Sequence, residues 1–321
     1  MGNMPKTISV NIIILNYNGK GLLEECLPSI IRAAKKTSCE CKVTVIDNAS
    51  SDDSVEFLEN NFKEVRIDKR KDNEVLCAFN DFLKQSTEDI SILLNNDIKV
   101  DENFIDPLID VFNKNEDAFL AVPKMMSFDG ARCENGKGRA SVKYGMFWAI
   151  SRYPGYEKDA DEEALISHAA NGAFRREKFV SLGGFDDLYL PGIMEDADLC
   201  FRAYKKGLRC YYQPKSIIYH KGRESFRKAF GEKKVDEIAH RNTFLFMWKN
   251  ITSFRYMFEH ILFLIPRFLF AIVMKKFEFV KGFLSALPLL PKALDRRKKM
   301  PYKEYIKKDA AIFKEIRGTK L

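Results

Sequence analysis

The sequence predicts an α/β fold: a doubly wound, mostly parallel sheet with a C-terminal amphipathic helical region. Short apolar, β-branched runs alternate with helical patterns from residue 8 to residue 122, and several of these runs end in clusters of amide and carboxylate side chains. Beyond His220 the composition shifts to Phe, Leu, Ile and Met. Alternation of this kind requires crossover connections, and crossovers produce parallel strands covered by helices on both faces.

The first apolar run, Ile8 to Leu15, is broken at Asn11 after an opening Ser9 and fits a strand buried on both faces. A helical pattern follows from Leu22 to Ala34. The alternation then continues with strand Lys42 to Ile46, helix Ser54 to Phe62, strand Val65 to Ile67 and helix Glu74 to Gln85. Strand Ile90 to Leu94, helix Asn103 to Asn113 and strand Phe119 to Val122 complete it. Residues 125–167 lose the alternation and collect Gly, Tyr, Trp and charge, which predicts an excursion or flexible loop. A helix from Glu195 to Lys206, stopped by Gly207, precedes strands Leu208 to Tyr212 and Ser216 to Tyr219.

Residues 254–290 are apolar but interrupted by Glu259, His260, Pro266, Arg267, Lys275, Lys276, Glu278 and Lys281. Those charges are too frequent for a spanning helix, which needs about 20 mostly apolar residues. The pattern fits helices in a membrane interface, with Arg296-Arg297-Lys298-Lys299 against anionic headgroups. It equally fits a bundle packed on the catalytic domain or on a second copy in a homodimer. The expected division is residues 1–222 for the α/β domain and 223–321 for the helical region.

Lys and Arg number 53 against 45 acids, a net charge of +8, which suits a phosphate-bearing partner. The excess lies in the helical region and is not interleaved with aromatics on a nucleic-acid module, so a lipid surface is expected and nucleic acid is not. The seven cysteines form no CxxC pair, which predicts a reducing compartment. The first residues lack the pattern of a secretory signal, so the catalytic part is expected in the cytoplasm, peripheral on the inner face of the cell membrane.

Ligands of doubly wound sheets bind beyond the carboxyl ends of the strands. Those ends read Asn16-Tyr17-Asn18-Gly19, Asp47-Asn48-Ala49-Ser50-Ser51-Asp52 and Asn95-Asn96-Asp97. Asp97 offers hard oxygen ligands to Mg²⁺ or Mn²⁺, although its triplet also fits an Asx turn. Asp47 ends a strand and can accept from a base or ribose, whereas Ser51 and Asp52 fit a helix cap. Glu195, Asp196 and Asp198 complement the dipole of a helix start, and one of them can also serve as general base. His220, at a strand end, fits a metal ligand, a phosphate contact or a structural histidine.

In their order, these motifs resemble family 2 glycosyltransferases of the GT-A fold, particularly the rhamnosyltransferase-like branch. The motifs are NYNG, DNASSDD, NND, Asn171-Gly172-Ala173-Phe174, Gly183-Gly184-Phe185-Asp186 and Glu195-Asp196-Ala197-Asp198-Leu199-Cys200-Phe201-Arg202. The resemblance spans residues 8 to about 222. It implies a metal-dependent inverting transfer from a dTDP- or UDP-linked sugar to a glycan or lipid-linked acceptor in cell-surface polysaccharide synthesis, with Mn²⁺ or Mg²⁺ as cofactor. It implies a donor site of Asn16, Tyr17, Asn18, Asp47, Asn48, Asn80, Asn95 and Asn96, metal ligands Asp97 and His220, and Asp196 as catalytic base. Gly172, Phe185, Asp186, Glu195 and Asp198 fall on the implied acceptor side.

Two positions depart from the family pattern. Asn73-Glu74-Val75-Leu76-Cys77-Ala78-Phe79-Asn80 stands where relatives carry glycines, and Asn95 stands where many have a first aspartate. The first departure supports an alternative, a catalytically idle nucleotide-sugar-binding scaffold of a polysaccharide assembly complex. Retention of Asp47, Asp97, Asp196 and Asp198 speaks for the enzyme. A nucleotidyltransferase shares the sheet and metal carboxylates but would carry a Gly-rich basic loop after its first strand, which Asn16 to Gly21 matches poorly.

Overall fold

A computed structural model describes residues 8–222 and 230–317. Its main sheet is centred on β1 (Ser9–Asn16), which pairs in parallel with β2 (Glu40–Asp47) on one side and β4 (Ile90–Asn95) on the other. β3 (Arg66–Lys69) extends it beyond β2. On the other flank β11 (Gly172–Arg175) runs antiparallel between β4 and β6 (Ala118–Ser127), and β12 (Arg209–His220) pairs with β6 in parallel. The sheet is therefore mostly parallel, with an antiparallel insertion.

Helices α1 (Lys20–Lys36), α2 (Ser54–Asn61) and α4 (Ile105–Lys114) cover one face, where Leu23, Leu27, Leu58 and Leu108 pack on Ile12, Ile14 and Ile92. The Asn11 break within β1 is satisfied inside this layer, since Thr44 Oγ1 donates to Asn11 Oδ1 at 3.1 Å. α3 (Ala78–Gln85), α5 (Arg176–Ser181) and α6 (Glu195–Lys205) cover the opposite face. Gly207, at φ +80°, follows α6 as expected of a left-handed helix stop.

The chain from residue 125 to 167 is more ordered than its composition suggests. β6 runs on to Ser127 and is joined by β7 (Cys133–Asn135); β10 (Ala164–Leu165) pairs with β12. Between them β8 (Arg139–Lys143) and β9 (Met146–Ile150) form a hairpin turned by Tyr144 and Gly145, at φ +50° and +71°. These strands are short and take their order from tertiary partners, as where Phe147 stacks on Phe246 at 4.0 Å. The two strands expected at 208–219 are one, β12, with a register break between Gln213 and Ile217.

Among the described residues five further α-helices follow: α7 (Glu232–Asn250), α8 (Phe254–Val273), α9 (Phe277–Ala286), α10 (Leu290–Lys298) and α11 (Asp309–Arg317). α7 completes the second hydrophobic core, burying Phe244, Leu245, Phe246 and Met247 against residues of α6 and β9. Burial of each such side chain contributes about 2 kcal/mol. The helical region is thus continuous with the core that carries α6, and α6 carries the Glu195-Asp196 pair.

Candidate active site

The central crevice follows from register. Asn16 and Asp47 end adjacent parallel strands in register, so their side chains emerge side by side; Asn95 registers with Leu15, and the next residue, Asn96, falls beside Asn16. Asn16 is fully buried and joins the row: its Nδ2 donates to Asp47 Oδ1 at 3.1 Å and to Ser50 Oγ at 3.2 Å, while its Oδ1 accepts from Asn96 Nδ2 at 2.8 Å. Asp47 Oδ2 accepts from the Ser50 amide. Asn18, left-handed at φ +48°, uses its Oδ1 to hold the amides of Ser51 and Asp52, locking the first two strand-end loops together. Asn95 is fixed through its amide, which donates to Asn171 Oδ1. A Cβ on Gly19 would lie 2.1 Å from Asn96 Nδ2 and 2.5 Å from Asn16 Oδ1, so the row closes only over a glycine. Tyr17 stands at its edge, half exposed.

Asn96 leads directly to Asp97. β5 (Ile98–Val100) pairs antiparallel with the end of β12, bringing His220 Nε2 to 3.3 Å from Asp97 Oδ2. The Lys221 amide donates to the Asp97 carbonyl and fixes that approach. Asp97 Oδ1 and His220 Nδ1 are buried without hydrogen-bond partners among the described residues. A buried carboxylate oxygen without a partner, on a side chain that meets an imidazole, is a suitable donor for a divalent cation. No cluster of three or more His, Cys, Asp or Glu occurs among the described residues, so further ligands would have to come from donor phosphate and water.

The start of α6 divides its three carboxylates. Ile193 and Met194 precede it at φ +71° and +82°, a conformation costly for non-glycine residues. The Asn242 amide of α7 holds that loop by donating to the carbonyls of Tyr189, Gly192 and Ile193, each at 2.8 Å. Asp196 is partly exposed, with Oδ1 accepting from the Ala197 amide. Glu195 Oε2 is shut from solvent with no partner among the described residues, and burial, aided by the neighbouring Asp196, pushes its carboxyl up to about 8.

The other expected site residues have partners inside the protein. Asp198, expected on the acceptor side, is fully buried and bound to Lys249 (2.6 Å), Arg202 (2.8 Å), Asn250 and Tyr189. Burial alone would raise its pKa, but Arg202 and Lys249 outweigh that and hold it well below the carboxylate range. Asp186 pairs with Lys249 at 2.7 Å and accepts from the Leu188 amide. Phe185 is a core aromatic packed on Phe79, Phe174 and Phe179. Gly172 lies inside the sheet, where a Cβ would meet the Ala121 carbonyl at 2.8 Å. Asn80 has both amide ends on the Phe185 backbone, donating to its carbonyl and accepting from its amide, each at 2.8 Å. Asn48 holds Asn73 and the Val75 carbonyl and accepts from the Glu74 amide. That bracing supports Val75 at φ +51°, the left-handed conformation glycine would adopt freely.

Asn242 and Lys249 are the residues the strand-end reading missed, while Ser50 and Asn73 stood in its motifs without a site role. Asn242 and Lys249 carried one signal, polar groups flanking the apolar run Phe244 to Trp248. A cavity of about 580 Å³ opens beside Phe185 and Asp186, between α3 and the segment 296–305, and none of Asn16, Asp47, Asp97 or Asp196 lines it.

The family model described as Glycosyl transferase family 2 matches residues 11–183, which include the first three strand-end motifs. The chain belongs to this family. No curated protein matches it in sequence. Among solved structures, this family 2 glycosyltransferase is similar to GalNAc-T7 with UDP, GalNAc and Mn²⁺: TM-score 0.55, 18% identity, 74% of this chain and 51% of that one. It is also similar to S. aureus TarS: TM-score 0.52, 13% identity, 77% of this chain and 40% of that one. At such identities the likeness is one of fold, GT-A, and the chain spans about half or less of each.

Proposed function

We propose that residues 1–222 bind a nucleotide-diphosphate sugar and transfer its sugar, with inversion, to a hydroxyl of a glycan or lipid-linked acceptor in cell-surface polysaccharide synthesis. The observation that carries this reading is the meeting of the Asn16–Asp47–Asn96 row with the Asp97–His220 pair at one edge of the sheet. The row presents carboxylate and amide groups to a nucleoside, and Tyr17 offers an exposed ring for stacking. A dTDP- or UDP-linked donor fits this class; rhamnose rests on the branch resemblance.

In the transfer, the partly exposed Asp196 carboxylate takes the acceptor hydroxyl proton. The acceptor oxygen bonds to the anomeric carbon as the bond from that carbon to the diphosphate oxygen breaks, and the electron pair departs with the nucleoside diphosphate. Burial pushes the Glu195 carboxyl up to about 8, which keeps its proton on at neutral pH and leaves the base role to its neighbour in this reading. Asp97 and His220 would hold Mn²⁺ or Mg²⁺, which supplies positive charge to the leaving diphosphate. The basic surplus and the apolar α8 support a peripheral position on the inner face of the cell membrane, with residues 223–321 as the attachment region.

The test is turnover of a panel of nucleotide-diphosphate sugars with Mn²⁺ or Mg²⁺, comparing the native chain with Asp196→Asn and Asp97→Ala. Metal-dependent turnover of a donor, falling at least about 100-fold in both variants, is the expected result. Absence of donor binding and turnover with lipid-linked acceptors present would replace this reading with the idle scaffold.

A further inference from the structure

α8 is long and apolar enough to cross a bilayer: twenty residues with a mean hydropathy of 1.7. Its contacts give it another orientation. His260 Nδ1 lies 2.7 Å from the Gly145 carbonyl and its Nε2 accepts from Trp248 Nε1 at 3.1 Å. About two turns further on, Arg267 donates to the carbonyls of Tyr144 and Lys143 at 2.8 and 3.2 Å. Phe268 packs edge-on against Phe279 and Phe283 of α9. The inner stripe is therefore fastened along its length to the β8–β9 hairpin, α7 and α9, and the helix lies along the protein.

The outer stripe has no cover among the described residues. Phe258, Ile261, Ile265, Leu269 and Val273, spaced three or four residues apart, are 56–77% exposed. A helix apolar on every side is a buried one, in protein or in lipid. The same surface carries Tyr144 and Trp148 on the hairpin, 68% and 51% exposed, and Arg255, Lys275, Lys276 and Lys281 are exposed at its ends. Its acid Glu259 is paired with Arg255 at 3.0 Å.

We propose that the outer stripe of α8 and the β8–β9 hairpin form one surface that lies flat in the headgroup region of an anionic bilayer. Exposed Trp and Tyr beside an apolar stripe with cationic ends match that boundary, where rings sit at headgroup depth and Lys and Arg meet lipid phosphate. A second copy on the same stripe would set these cationic groups against one another. The inference deepens the membrane reading above by naming the surface, its orientation and its lipid class.

The full chain is mixed with vesicles of phosphatidylcholine alone or with phosphatidylglycerol, and flotation and tryptophan emission are measured. The chain has two tryptophans, and Trp248 is buried, so a blue shift and shallow bromolipid quenching report on Trp148. Salt-sensitive binding to the anionic vesicles is expected, falling at least about tenfold in Ile261→Glu/Ile265→Glu with an unchanged melting temperature. Lys276→Glu/Lys281→Glu, which leaves the stripe intact, should lose the preference for phosphatidylglycerol. Failure to float, an unshifted emission, or binding indifferent to the stripe variant would overturn the proposal. A lipid-free dimer abolished by Ile265→Glu would overturn it in favour of a second copy. Donor turnover does not enter these readouts, so vesicle binding without transfer would leave this surface standing and remove the catalytic reading.

Discussion

Lys249 Nζ lies 2.6 Å from Asp198 Oδ1, with side chains 3% and 0% exposed, joining the last turn of α7 to the first turn of α6. This ion pair crosses from the helical region into the catalytic sheet domain, so the helices after residue 231 hold the start of α6 in place. Arg202 and Asn250 bind the same carboxylate, which satisfies it without solvent.

Lys249→Met should destabilise the protein by about 3 kcal/mol, because it leaves Asp198 buried with one cation fewer. Urea denaturation measures this. The double variant Lys249→Met/Asp198→Asn should recover part of the loss; full additivity of the two changes would mean that the groups do not interact.

Glu195 predicts a pH dependence of stability. Its carboxyl stands at about 8 in the folded protein against the ordinary 4.5. The folded state therefore holds the proton more tightly, and stability should fall as pH rises from 4.5 to 8, by on the order of a few kcal/mol. In Glu195→Gln that slope should disappear. Equal slopes in the two proteins would show that Glu195 is not the titrating group.

Asn242→Leu should cost about 2–4 kcal/mol through the Gly192 and Ile193 carbonyls it leaves unmatched, the Tyr189 carbonyl keeping the Gly192 amide. Hydrogen exchange should rise at residues 189–197, and kcat should drop while donor KM stays nearly constant, since the row at the strand ends is untouched. An unchanged kcat would separate the loop's geometry from the chemistry.

Gly19→Ala should act on the opposite side of the crevice. Its methyl would displace Asn96 from Asn16, costing about 1–3 kcal/mol as overpacking does. Donor affinity, read by titration calorimetry, should fall more than tenfold. Retained affinity would mean that the Asn16–Asn96 link does not shape the donor site.

The sheet was legible in the sequence because its signals are local. Apolar runs such as Ile12 to Leu15 and Ile92 to Leu94 declare strands buried on both faces, and alternation with helices makes those strands parallel. Parallel strands share one carboxyl edge, so the polar ends of β1, β2 and β4 had to meet there, while the register that puts Asn96 rather than Asn95 beside Asn16 came from the structure. That reasoning weakens where order depends on distant partners. Residues 125–167 read as a loop because the β8–β9 hairpin depends on Phe246 and Arg267, which lie far along the chain.

By itself the sequence determined the parallel sheet, the shared edge of its polar strand ends and the apolar character of the C-terminal helices. Only the tertiary structure decided which side chains at that edge are free. Glu195, Asp196 and Asp198 are the same chemistry within one turn of helix, and helical rotation turns Asp198 toward Lys249 and Arg202 while Asp196 stays partly open. Likewise Asn80 is claimed by Phe185, 105 residues away, and α8 is laid along the protein by His260 and Arg267. Burial and pairing are properties of the neighbours that folding brings together, and most of the neighbours of these groups lie far from them in sequence.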